Sequence, residues 1–245
     1  MRNILTCLLA LGILSGCDII DMPKNAGAAP PPPDGGTVTR RVLIEDCTGM
    51  LCNNCPAAAD IGQGLEDYYN VNGTRVILVS ISMLTSYSAP QPPIGDGIFD
   101  TDFRTPAGTE YESTFQIGGL PTGLISRKPS SNSIRVNASN WSSAVAQIID
   151  LPPEMDLWFD SLNYNSATNV VTATVKAAVL TPITAPRNLT VYLTEDHVID
   201  WQIDNRLPAG QDHIPNYDHR HVLRDNLNGT WGDVLIPASA QPGDT

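Results

Sequence analysis

Two cysteines three residues apart, Cys52 and Cys55, stand between two apolar runs, and no other feature constrains the chain as much. Upstream, Thr39 to Asp46 contains Val42-Leu43-Ile44, which reads as a buried strand, and Thr48-Gly49 breaks it. Downstream, Ala58, Ile61, Leu65 and Tyr68 recur at helical spacing. Pro56 lies in the first turn, where its missing N–H does little harm, and Asn72-Gly73 stops the pattern. Val76-Ile77-Leu78-Val79-Ser80-Ile81 then reads as a second buried strand. The order strand, Cys-x-x-Cys, helix, strand predicts a βαβ unit with its sulfurs at a helix amino terminus. Unsatisfied N–H groups and the macrodipole favour a thiolate there.

This unit resembles the amino-terminal half of a thioredoxin-like domain, and two further matches extend the resemblance. Asp46, six residues before Cys52, stands where thioredoxins keep a buried acid, and Gly119-Leu120-Pro121-Thr122 is similar to their cis-proline loop. A short helix over Glu110 to Phe115 and a strand starting at Leu124-Ile125 flank that loop. The resemblance implies Cys52 as the more exposed, nucleophilic sulfur, Cys55 as the resolving one, Asp46 as proton relay to Cys55, and Pro121 packed beside the disulfide. Cys52 would attack a client disulfide, and Cys55 would then attack Cys52 to release the reduced client. Leu51-Cys52-Asn53-Asn54-Cys55 lacks the aromatic that thioredoxins carry before the nucleophile. A structural disulfide in an exported domain is the competing reading.

Met1-Arg2-Asn3 followed by the apolar run Ile4 to Leu14 is a secretory leader, too short to remain as a membrane span. It ends in Leu14-Ser15-Gly16-Cys17, which resembles the bacterial lipobox and implies that Cys17 is lipidated and becomes the first residue of the mature protein. Residues 17–36, with four consecutive prolines from Pro30 to Pro33, form an extended spacer. With Cys7 removed and Cys17 acylated, Cys47, Cys52 and Cys55 remain. An odd thiol is left over, and Cys47 reads as a small buried hydrophobe. Fourteen basic against 26 acidic residues give a net charge of −12, which repels nucleic acid and anionic lipid.

After Leu151-Pro152-Pro153 the period changes to two. Asp156 to Tyr164, Val170 to Val179 and Leu189 to Thr194 read as short antiparallel strands, the last with Leu189, Val191 and Leu193 on its apolar side. The fold expected is an α/β thioredoxin-like domain over 37–150, closed by a helix over Trp141 to Ile149, followed by an all-β sandwich over 151–245. Four or five strands are fewer than a complete sandwich needs, so that module is expected to be truncated. Asp96, Asp100 and Asp102 lie in a Pro- and Gly-rich insertion, read as a solvated acidic loop rather than a calcium site. His219-Arg220-His221 would place two imidazoles on one strand face, a weak metal candidate without further ligand spacing. No cofactor is called for by any motif.

Taken together, the lipobox, the Pro-rich tether, Val42 to Gly49 leading into Cys52-Asn53-Asn54-Cys55-Pro56, the Gly119-Leu120-Pro121-Thr122 loop, and His219-Arg220-His221-Val222-Leu223-Arg224 with Asn228-Gly229-Thr230-Trp231-Gly232 resemble the Omp28-related outer-membrane lipoproteins of the Bacteroidetes. The resemblance implies a lipid-anchored envelope protein, periplasmic or surface-exposed, whose partners are the membrane, through its anchor, and envelope or surface proteins. Two functions follow. One is a thiol-disulfide oxidoreductase acting on disulfide clients. The other is a non-enzymatic, adhesin-like binding protein whose cysteines form a staple.

Overall fold

The structure, a computed structural model, describes residues 38–245. The expected leader 1–16, lipidated Cys17 and tether 17–36 lie outside the described residues. The elements are, in chain order, β1 (Val42–Thr48), α1 (Cys55–Tyr69), β2 (Val76–Ser82), α2 (Thr85–Ser88), α3 (Pro106–Phe115), β3 (Thr122–Ile125), β4 (Arg135–Val136) and α4 (Trp141–Ala146). Eight strands follow: β5 (Met155–Asn165), β6 (Val170–Val179), β7 (Arg187–Leu189), β8 (Tyr192–Glu195), β9 (Val198–Ile203), β10 (His213–His219), β11 (Val222–Asn226) and β12 (Asp233–Ile236). The class is mixed α/β, with a six-stranded mixed sheet in the order β4-β3-β1-β2-β11-β8 and three two-stranded sheets, β9–β10, β7–β12 and β5–β6.

β1 runs parallel to β2 from Val42 opposite Val76 to Thr48 opposite Ser82, and antiparallel to β3 from Ile44 opposite Ile125 to Cys47 opposite Thr122. Side chains alternate across this sheet. Val42 and Ile44 point into a core with Ala58 and Leu65 of α1 and Trp141, Ala144 and Val145 of α4. Cys47 points the other way, into a core with Ile81, Tyr111 of α3, Leu124 and Leu223. Asp46 therefore shares the α1 face and Glu45 the α3 face.

Helix α1 starts where the sequence predicts and carries Pro56 in its first turn, but its buried face is Cys55, Ala58, Gly62 and Leu65. Tyr68, expected inward, is 74% exposed. Gly62 decides this rotation: a Cβ there would lie 2.9 Å from Leu78, so the bare backbone of α1 seats on β2 and carries Ile61 and Tyr68 outward. The helix stops at Asn70, earlier than Asn72-Gly73, because the Asn70 side chain accepts from the N–H groups of Arg75 and Val76 and donates to Val76 O.

The sheet does not end at Leu151-Pro152-Pro153. Val222 pairs in parallel with Ser80 of β2, and β8 pairs antiparallel with β11. β2, fully apolar on one face and flanked by β1, needs a partner on its other edge, and the late chain supplies it. The predicted Leu189–Thr194 strand divides between two sheets, β7 pairing with β12 and β8 with β11. Its inward residue is Tyr192, while Leu193 faces out.

Among the described residues Trp158–Lys176, the distal part of the β5–β6 hairpin, forms a unit of its own. It is held by the Asp160–Lys176 ion pair at 2.9 Å and the Tyr164 hydroxyl donating to Asn169 Oδ1, and it leaves Phe159, Leu162, Val170 and Val171 exposed. No helix among the described residues is long and apolar enough to cross a membrane.

Candidate functional site

Cys52 and Cys55 are joined as a disulfide at the start of α1. The loop before it is tied down from below. Leu51 N–H donates to Tyr87 O, and a Cβ on Gly49 would lie 2.7 Å from that same carbonyl, so only glycine lets α2 approach so closely. From above, the end of β9 and the residues after it lie along the loop. Ile203 N–H donates to Met50 O, Asn205 N–H to Asn53 O, and the Gln202 side-chain amide to Cys52 O at 3.1 Å. Arg206 reaches across to Asp60 of α1.

The consequence corrects the expected geometry. Cys52 is not the more exposed sulfur-bearing residue: Cys52 and Cys55 are each 2% exposed. In a minimal βαβ unit the loop between β1 and α1 faces solvent. Here a strap from 150 residues later in the chain lies over that loop, with donors from the Gln202 side chain and from the Ile203 and Asn205 backbone.

Asp46 lies under this region, its side chain buried and both carboxylate oxygens without a hydrogen-bond partner among the described residues. Burial pushes its pKa up to about 7. Asp46 and Cys55 line one cleft of about 330 Å³. Thr48, Ser80 and Ser82 contribute from the sheet, Pro56 and Asp60 from α1, and Tyr217 to Val222 from the opposite wall.

Pro121 follows a cis peptide bond after Leu120, and the β1–β3 register carries it past the Cys47–Thr122 pair, opposite the Thr48 end of β1. It lines a different cleft, with Gly118, Gly119, Thr122 and Arg135. His219 and His221 both line the Asp46 cleft, but they are not on one strand face. β10 ends at His219, and His221 has a left-handed backbone (φ 54°) in the turn before β11. Among the described residues no group of three His, Cys, Asp or Glu side chains is placed to hold a metal. Asp96, Asp100 and Asp102 serve their own loop: Asp100 accepts from Gly95 and Gly97 N–H, Asp96 from Ile98 N–H, and Asp102 pairs with Arg104.

On the other face of β1 the structure holds a cluster that pattern reading does not anticipate. Glu45 is fully buried and takes two hydrogen bonds from Arg127, at 2.8 and 2.7 Å, and one from the Tyr192 hydroxyl at 2.8 Å. The Arg127 guanidinium lies 4.3 Å from the centre of the Tyr111 ring, with Phe115 and Trp231 beside it. Burial alone would lower the Arg127 pKa; the bonds and charge of Glu45 outweigh it and raise it. The available signal was two adjacent acids inside an apolar strand, which must face opposite sides of the sheet. Cys47 is a free thiol on that same face, its pKa raised by burial and then by Asp46 and Glu45.

Comparison with known proteins adds two matches. The family model described as outer membrane protein Omp28 matches residues 108–244. A crystal structure of a protein from Agrobacterium tumefaciens, a structural-genomics target, is 9% identical over 78% of this chain and 73% of that one, with a TM-score of 0.48. No curated protein matches.

Proposed function

The chain belongs to the Omp28 family of outer membrane proteins, and on that premise we propose that it is an envelope protein, lipid-anchored through Cys17, which binds other proteins and uses Cys52–Cys55 as a structural staple. The observation that carries this reading is the cover over the disulfide: Cys52 is 2% exposed and three positions of the strap, Gln202, Ile203 and Asn205, hold the loop shut. A thiol must approach a disulfide along the S–S axis to exchange with it, so a covered pair reacts only after local opening. The thioredoxin-like description of the scaffold is supported by the placement of Cys-x-x-Cys between β1 and α1 and by β3 entering antiparallel after Pro121. In this reading β11 supplies the outer parallel strand. The β7–β12 and β9–β10 pairs of the carboxy-terminal half are compatible with a β-sandwich component.

A second reading, a thiol-disulfide oxidoreductase, is favoured by one observation: a carboxyl with a pKa near 7 shares a cleft with Cys55. One experiment separates the two. The reduction potential of the Cys52/Cys55 pair is measured, and Cys55→Ala is used to trap mixed disulfides at Cys52. A pair more reducing than about −300 mV with no trapped client supports the staple. A pair near the potential of the glutathione pool that captures clients makes the protein a redox enzyme.

A further inference from the structure

We propose that the cleft over Asp46 is a binding site for a small primary organic ammonium ion. Its volume of about 330 Å³ suits a compact ligand. Its floor is a carboxyl that is 1% exposed and has no donor on either oxygen among the described residues. A buried acceptor left without a donor costs about 1–3 kcal/mol, and more when charged, so the site is one donor group short. A primary ammonium offers three N–H donors and the matching charge.

The remaining charges around the cleft select for the sign of the ligand. Asp60 and Asp218 are further carboxylates on its walls. The cations are already engaged: Arg220 with Asp196, and Arg206 with Asp60 and Asp204. His221 Nε2 lies 3.4 Å from Glu66 Oε2, without hydrogen-bond geometry, and burial lowers the pKa of His219, which favours its neutral ring. Burial first, then the charge of Asp60, lifts the Tyr217 hydroxyl to about 12, so Tyr217 remains neutral too. Among the described residues lining the cleft, no unpaired Arg or Lys is left for an anionic ligand. The walls also offer aromatic faces, with the His219 ring centred 4.6 Å from Phe103 and 4.8 Å from Tyr217. A bare carboxylate beside aromatic rings is the chemistry that holds an alkylammonium head group.

The site stands whether the disulfide is a staple or a redox pair, because its ligand is neither thiol nor disulfide. The test is calorimetric titration of the oxidised protein with butylammonium chloride, and with sodium butyrate as the anion of the same size. At pH 8 butylammonium binds saturably and butyrate does not. At pH 5.5, where Asp46 has taken up its proton, binding weakens about thirtyfold. Asp46→Asn, nearly the same shape, weakens binding at pH 8 at least about tenfold and abolishes the pH dependence. His219→Leu, which removes a ring and no charge, weakens it a few-fold. Absence of saturable binding at pH 8, equal binding of butyrate, or an Asp46→Asn protein that binds like the parent overturns the proposal. If Asp46→Asn does not fold, the pH comparison on the parent protein decides.

Discussion

Glu45 and Asp46 are consecutive in β1 and both cut off from water, yet Glu45 holds Arg127 and Tyr192 while Asp46 holds no donor among the described residues. Alternation of a strand turns this one-residue step into two environments. On the α3 face the acid is bound to a guanidinium stacked over aromatic rings, an arrangement that fastens β8 and the Arg127 turn to β1. On the α1 face the acid borders a cleft and the disulfide. A fully matched buried charge specifies structure. An unmatched one opposes it.

The contrast can be tested by breaking each half in turn, and the largest effect is expected at Asp46. Its carboxyl titrates at about 7 in the folded protein against an ordinary 3.8. The folded state therefore holds a proton that the unfolded state has lost between those values. Stability contributed by this group is present below pH 4 and declines as pH rises to about 7, by roughly 4 kcal/mol. Urea denaturation of the parent and Asp46→Asn across pH 4 to 8 reads the difference, with the variant the more stable near pH 8. Glu45→Ala acts in the opposite direction. It strands Arg127 and destabilises the fold by about 3 kcal/mol at pH 7, and a double-mutant cycle with Arg127→Ala shows strong coupling in the denaturation midpoint.

A smaller loss, about 1.5 kcal/mol, is expected for Tyr192→Phe, which keeps the ring and removes the hydroxyl bonded to Glu45 and Tyr111. The smallest effect lies on the strap. Gln202→Ala removes one hydrogen bond to the Cys52 carbonyl, worth about 1 kcal/mol, and raises the rate of disulfide reduction by dithiothreitol about fivefold. An unchanged rate would mean that the strap does not control access.

Local pattern made the first half of the fold readable. The apolar run at Val42 and the proline in the first turn at Pro56 each declare themselves within ten residues and stand where expected, while the antiparallel strand after Pro121 is present but begins at Thr122, two residues before the expected Leu124. What escaped depends on partners distant in sequence. Tyr192 reads as the polar member of an alternation and is instead the inward residue, because its hydroxyl has Glu45 to meet. Cys52 reads as an open helix-terminal sulfur, and nothing near it announces that Gln202 and Asn205 will lie across it. Asp46 was singled out in the sequence as an acid, and the structure buries it. The cleft above it was not legible, since half of its wall comes from Tyr217 to Val222.

The pairing of Val222 with Ser80 has a consequence for how the polypeptide is made. Synthesis delivers the amino-terminal part first, so β2 waits with one edge bare until the last strands have emerged. Pairing across so long a separation is slow to find, and an unpaired edge is a template for the wrong neighbour. A nascent molecule of this design keeps that edge open for most of its synthesis, and closes it only when its tail arrives.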